Sequence, residues 1–286
     1  MKDNIYINLR TGQTSPKIDL LFPDWQGSQE RVAVFGAHDD DPLLGAGYAM
    51  AAAMEAGAQV YVVIFCKGDC GYSVPEERET IVETRRVENE QALARFGIPA
   101  DHIIRLEYPD FSLASYVGYH LDDWRTGTFP QIIELVRKLK ITRALIPNGY
   151  KEHADHTAAY AITAYDLVQA GDPVVVDIGK PNPVRTLLQY SVWADFSPED
   201  ALVTGEDNLT VRANLALAAD PAVEDKVINA ICAYSSQAAI IDNLVNARRE
   251  RAVAGRCMEL YMLVDTRPKL DYAPYRARIA PLVDGR

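Results

Sequence analysis

Over its first 170 residues the chain alternates short β-branched or aromatic runs with longer helix-forming stretches, and this alternation restricts the fold more than any other feature. Arg31 to Gly36 (Arg-Val-Ala-Val-Phe-Gly) and residues 60–66 (Val-Tyr-Val-Val-Ile-Phe-Cys) have the near-continuous apolar composition of strands covered on both faces. Between them an Ala-rich segment from Gly45 to Gly57 ends at a glycine, which predicts the crossover helix of a βαβ unit. A polar helix from about Glu76 to Phe96, closed by Gly97 and Pro99, should feed a strand from His102 to Leu106. Ile132, Leu135, Val136 and Leu139 then fall at i, i+3, i+4 and i+7, so an amphipathic helix after Pro130 leads into a strand at Arg143 to Ile146. Another helix is expected from about Asp155 to Gln169.

Such alternation predicts an α/β fold with a Rossmann-like, doubly wound, mostly parallel sheet and helices on both faces. The Pro-rich joint Lys180-Pro181-Asn182-Pro183 introduces a change of character. Beyond it, Val184 to Val192 is predicted as a strand and Pro221 to about Ala254 as one or two helices, a C-terminal helical/β extension. At 286 residues and 48% hydrophobic, the chain suits one domain, with a core at about 31–175 and a portion at about 184–265 completing it.

A formal net charge of -11 disfavours nucleic acid and anionic membrane surfaces as partners. No stretch is apolar and long enough to suggest a membrane span, and Met1 to Tyr6 lacks the apolar run of a secretory signal, so a cytoplasmic location is expected. The four cysteines, at 66, 70, 232 and 257, are too scattered for a disulfide scaffold. Cys66 and Cys70 form the one close pair, which admits a redox or metal reading but suits idle thiols better. Homo-oligomerisation is left open.

Ligands of open α/β sheets sit outside the carboxyl ends of the strands, and two chemically dense segments fall there. The first predicted strand runs into Gly36-Ala37-His38-Asp39-Asp40-Asp41-Pro42, and the strand at 143–146 runs into Pro147-Asn148-Gly149-Tyr150-Lys151-Glu152-His153-Ala154-Asp155-His156. Three successive aspartates repel one another unless a cation or hydrogen-bond donors compensate them. Histidines with a carboxylate, leaving open positions, are the donors of a catalytic zinc or similar divalent site. Taken singly, each segment also suits an ordinary helix start.

Together these residues resemble the PIG-L/LmbE-like metal-dependent de-N-acetylases, whose signatures read His-Pro-Asp-Asp-Glu and His-x-Asp-His. Arg85-Arg86-Val87-Glu88 in a helix ending at Phe96-Gly97 is similar to the family's Arg-x-x-Glu helix, and Tyr108-Pro109-Asp110 to its Pro-Asp strand end. Lys226 to Gln237, ending Ser235-Ser236-Gln237, is similar to its late Lys…Ser-Gln helix, so order and spacing agree over roughly residues 31–260. The resemblance implies that His38, Asp41 and His156 bind Zn2+, or another divalent ion such as Fe2+ or Mn2+. It implies Asp40 as general base, His153 as the group facing the oxyanion or protonating the leaving amine, and Asp155 as the carboxylate orienting a histidine. Arg85 and Asp110 would contact substrate or shape the site. The implied substrate is a small N-acetylated amino sugar or glycoconjugate, with a non-sugar amide and a non-catalytic sugar-binding role as the alternatives.

Asp39 stands where the family has proline and Pro42 where it has glutamate, so the turn is rebuilt on both sides of the residues with assigned roles. Asp39 is expected to face solvent or cap the next helix. The irregular stretch from Asp110 to Phe129 has the character of a functional loop: Tyr116, Tyr119 and Trp124 suit stacking on a sugar, Asp122, Asp123 and Arg125 suit its hydroxyls, and Tyr150 joins Trp124 as a candidate substrate contact. The competing expectation is that these aromatics pack the loop onto the body or another subunit. His120 with Asp122 lacks a third metal donor. Ser235-Ser236-Gln237 lacks a nucleophile elbow and suits helix-end hydrogen bonding near the cleft, and Gly45-Ala46-Gly47 is no dinucleotide fingerprint.

Overall fold

The computed structural model of the chain describes residues 4–120, 126–205, 207, 209–265 and 267–284. In chain order its elements are β1 (Ile5–Asn8), β2 (Thr14–Ser15), β3 (Arg31–Gly36), α1 (Asp41–Glu55), β4 (Gln59–Cys66), α2 (Ile81–Phe96), β5 (Ile103–Tyr108), α3 (Thr128–Leu139), β6 (Arg143–Pro147) and α4 (Ala154–Gln169). They continue with β7 (Thr186–Tyr190), α5 (Pro198–Val203), β8 (Leu215–Ala219), α6 (Pro221–Ile231), α7 (Ala238–Ala247), β9 (Ala252–Val253), β10 (Arg256–Leu263) and α8 (Ala273–Val283).

The strands form one mixed sheet in the order β2-β1-β8-β10-β7-β6-β3-β4-β5, with β9 on the edge of β10. Its centre, β7-β6-β3-β4-β5, is parallel throughout, and β10, β8, β1 and β2 extend it by antiparallel pairing. From β3 the chain steps outward through β4 and β5, then returns to lay β6 on the other side of β3. The winding direction therefore reverses between β3 and β6, and the two loops leaving their carboxyl ends stand side by side.

Strand alternation explains the two cores. Val32, Val34, Val62 and Ile64 face one way, against Leu43, Leu93, Phe96 and Val227 of α1, α2 and α6. Ala33, Phe35, Val63 and Phe65 face the other way, against Ile132, Val136, Ile162 and Leu167 of α3 and α4. Gly45 is needed by packing: a Cβ there would enter the Tyr190 ring.

Differences from the sequence reading have local causes. Helix α1 begins at Asp41 rather than Gly45 because Pro42 in its first turn presets the helical backbone. Helix α2 begins at Ile81, after a separate 3-10 turn at Pro75–Glu77. Residues 221–254 give α6 and α7 with a 3-10 turn between them, a second turn after α7, and the short β9. Strands β1, β8 and β10 had no counterpart in the reading, since Leu215–Ala219 is Leu-Ala-Leu-Ala-Ala, a composition that favours helix. Helix α8 is exposed along its length, and no helix among the described residues is long and apolar enough to cross a membrane.

Candidate active site

The β3 exit turn is tight. A Cβ on Gly36 would meet the His38 carbonyl oxygen at 2.7 Å and the Pro42 ring at 2.8 Å, so no side chain fits there. The His38 amide donates to Asp41 Oδ2 at 2.8 Å, closing the turn into α1. Asp39 neither faces solvent nor caps the helix, which corrects the expectation. It is buried, with Arg85 donating to its carboxylate through Nε (3.1 Å to Oδ2) and through Nη2. Arg105 Nη1 stands 3.6 Å from the same carboxylate. The Asp39 backbone carbonyl accepts from Asn89 Nδ2 at 3.0 Å and from the Tyr234 hydroxyl at 2.6 Å. A carboxylate this buried requires a partner, and α2 supplies one.

Asp40 occupies the N-cap position of α1, yet its carboxylate caps no amide and stands 3.7 Å from Arg85 Nη2. Burial raises its pKa from the ordinary carboxylate value against the pull of Arg85, and Asp41 and Asp39 add to the rise.

On the β6 side, His153 caps α4 by accepting the Asp155 amide at Nδ1 (3.1 Å), which leaves Nε2 as the N–H donor of its neutral form. Burial, with His38 nearby, lowers the His153 pKa. Asp155 accepts the Phe111 and Leu113 amides at 2.7 and 3.2 Å and places Oδ2 3.4 Å from His38 Nε2. That contact leaves His38 Nδ1 on the side of Asp41, 3.7 Å from Oδ2.

His156 is fully buried. Its Nε2 lies 3.2 Å from Asp41 Oδ1 but makes no hydrogen bond, while its Nδ1 lies 2.7 Å from Glu152 Oε2. Burial opposes protonation of His156, but Asp41 and Glu152 overcome it and push the pKa up to about 10. Burial likewise opposes ionisation of Asp41, which His156 and His38 nonetheless hold at about 2.

Donor atoms of His38, Asp41 and His156 all lie within 4.8 Å of one another. Two imidazoles and a carboxylate, with one imidazole nitrogen buried and unsatisfied, fit a divalent ion of the zinc type. His38, Cys66 and Asp110 also converge within this limit. There, however, Asp110 accepts the Gly68 and Cys70 amides at 2.9 and 3.0 Å, and burial pushes the Cys66 thiol up so that it keeps its proton. All four cysteines are free.

The structure separates the remaining predicted residues. Arg85 is engaged by Asp39 and Asp110 by the 68–70 turn, so both shape the site. Tyr150 packs beneath Lys151 (5.1 Å) and Arg212 (6.0 Å). Trp124, with Asp122, Asp123 and Arg125, lies outside the described residues, as does the Asp122 half of the His120 pair. Tyr116 packs on Tyr108 at 4.9 Å and Tyr119 on Phe129 at 6.0 Å, so these two rings hold the loop to the body. Ser235 and Ser236 donate to Glu88, joining the late turn to α2 as helix-end hydrogen bonding predicts.

Three residues beside the site escaped the sequence reading. Phe111, 66% exposed, lays its ring 4.6 Å from His153, and Trp193, 51% exposed, lays its ring 5.0 Å from His156. Glu152, whose side chain is wholly shielded, links His156 to the loop after β7. In sequence Glu152 is one more charge ahead of a helix, and Trp193 is distant from both motifs.

Residues 33–165 match the PIG-L family, described as GlcNAc-PI de-N-acetylase, so the resemblance to that family is shown over this stretch. No curated protein sequence matches the chain. Among solved structures, N,N'-diacetylchitobiose deacetylase from Pyrococcus horikoshii aligns with a TM-score of 0.63 at 16% identity, covering 87% of this chain and 90% of that one. GalB, the 4-carboxy-2-hydroxymuconate hydratase of Pseudomonas putida KT2440, aligns with a TM-score of 0.62 at 18% identity, covering 85% and 100%. The zinc-inhibited form of teicoplanin deacetylase Orf2 aligns with a TM-score of 0.52 at 16% identity, covering 82% and 99%. At these identities the likeness is one of fold: a mixed α/β architecture around a central, mostly parallel sheet.

Proposed function

We propose that the chain is a metal-dependent hydrolase that removes the acetyl group from the nitrogen of an amino sugar or glycoconjugate, working in the crevice where the doubly wound sheet reverses between β3 and β6. The PIG-L match over residues 33–165 supports de-N-acetylation. A hydratase shares the fold, so the reaction has to be argued from the site. The observation that carries the reading is the buried Nε2 of His156, without a hydrogen bond and converging with His38 and Asp41.

Bound by His38, Asp41 and His156, a zinc or similar divalent ion would supply Lewis acidity toward an acyl oxygen and would acidify water. Asp40 is suited to general base: it caps no amide, and burial leaves its carboxylate basic for its type. It takes the proton of the attacking water as the carbon–oxygen bond forms. Neutral His153 offers Nε2–H to the oxyanion. Asp40 then returns its proton to the departing amine as the carbon–nitrogen bond breaks, giving acetate and a free amine. Asp155 keeps His38 oriented. Phe111 and Trp193 are apolar faces on which a sugar ring can stack.

Acetate release from a panel of N-acetylated amino sugars, beside non-sugar acetamides, tests this function. Turnover of sugars that is lost in Asp40→Asn with metal retained is expected. A metal-loaded protein inert on the whole panel would overturn the catalytic reading, and exclusive turnover of non-sugar amides would overturn the substrate class.

A further inference from the structure

Glu152 bridges two loops that are far apart in sequence. It precedes α4, four residues before His156, with a side chain 0% exposed. Its Oε1 accepts four hydrogen bonds from the loop after β7: Ser191 Oγ at 2.8 Å and the amides of Val192, Trp193 and Ala194 at 2.9, 3.2 and 3.0 Å. Parallel pairing of β6 with β7 puts the two loops side by side. Its Oε2 meets His156 Nδ1 at 2.7 Å.

The partners leave little freedom. Oε1 is committed to three amides and a hydroxyl, and the carboxylate meets His156 through Oε2 as an acceptor. The Nδ1–H of His156 therefore donates to Oε2, and Nε2 is the nitrogen that would offer its lone pair to a metal ion on giving up its own proton. That is the nitrogen lying beside Asp41 without a hydrogen bond.

We infer that Glu152 is a positioning residue: it fixes the tautomer and rotation of His156 so that Nε2 is the ligating atom, and the same carboxylate builds the turn that carries Trp193 over the His156 ring. This rests on the metal-site reading above and deepens it. A carboxylate behind a ligating histidine typically changes metal affinity by 10–100-fold when removed.

The isosteric variant makes the inference sharp. In Glu152→Gln the amide oxygen must take the position that accepts four donors, so its NH2 faces His156 Nδ1. That arrangement makes Nδ1 an acceptor and moves the ring proton onto Nε2, blocking the ligand atom. Zinc affinity of the full chain is measured by chelator competition for wild type, Glu152→Gln and Glu152→Ala, with metal-free melts to confirm folding. Both variants should bind zinc about 10–100-fold more weakly, with Glu152→Gln at least as impaired as Glu152→Ala despite its matching shape. Affinity within twofold of wild type in a folded Glu152→Gln overturns the inference and leaves the metal site standing. Wild type that binds no zinc removes the metal reading and the inference with it. Histidine 1H–15N spectra of the zinc-loaded wild type decide independently of either variant's folding. A His156 Nδ1–H signal with Nε2 coordinated supports the inference, and coordination through Nδ1 overturns it.

Discussion

Arg85 grips Asp39 with two guanidinium nitrogens, in a place where their side chains are only 5% and 2% exposed. The pair spans 46 residues of sequence and anchors the turn that presents His38, Asp40 and Asp41. Breaking a buried pair from one side strands the other charge, which typically costs about 3–5 kcal/mol. Asp39→Ala should lose stability on this scale in urea unfolding of the metal-free protein. The freed Arg85 then stands beside Asp40, 3.7 Å away already, so acetate release should fall further than zinc affinity. A loss below about 1 kcal/mol would mean that the pair is not structural, since that is the range of exposed pairs.

Asp39 shows what a sequence conceals. The donor motifs were legible because histidines and aspartates crowd the ends of two recognisable strands, and the strand order places those ends side by side. Burial of Asp39, by contrast, depends on α2 returning Arg85 and Asn89 to the turn. Glu152 is similar: beside Lys151 in sequence it has the pattern of a solvated pair, and only the β7 exit loop buries it. Strands β8 and β10 were hidden for another reason, since their places in the sheet are set by antiparallel pairing with each other, β1 and β7 rather than by a crossover unit.

Metal binding should appear as stability. A ligand that binds only the folded state adds about 2.7 kcal/mol at 100 times its Kd, or roughly 5 °C in Tm for a chain of this size. Zinc at that excess should raise the wild-type melt accordingly and leave His156→Ala and Asp41→Ala unmoved, with chelator reversing the wild-type shift. An equal rise in His156→Ala would place the ion elsewhere.

Asp166 on α4 gives a pH dependence remote from these ligands. Burial raises its pKa from 3.8 to about 7. Between those values the native state holds a proton that the unfolded chain releases, so stability falls as pH rises from about 4 to about 7 and then levels off. Asp166→Asn removes the ionisable group, and it should gain about 1–3 kcal/mol over wild type at pH 8 with no corresponding gain near pH 4. Chemical denaturation at the two pH values measures this. An equal difference at both would assign the effect to packing instead.

Phe111 combines an unfavourable backbone with an exposed ring: its φ is +58° and the residue is 66% exposed. A left-handed conformation costs a non-glycine residue about 1–2 kcal/mol, and a ring left in water returns little through burial. The Asp155 carboxylate holds the Phe111 amide at 2.7 Å, so the strain is imposed by the group that also orients His38, and it sets the ring against His153. Phe111→Gly should therefore keep or raise stability while weakening substrate binding. Trp193→Ala should act similarly on binding from the His156 side. Loss of one stacking face, worth about 0.5–1.5 kcal/mol, predicts a roughly 2–10-fold rise in KM with kcat little changed. Thermal melts and steady-state kinetics on the same preparations separate the effects. If Phe111→Gly lowers stability and leaves KM untouched, the Phe111 ring serves packing and has no part in holding the substrate.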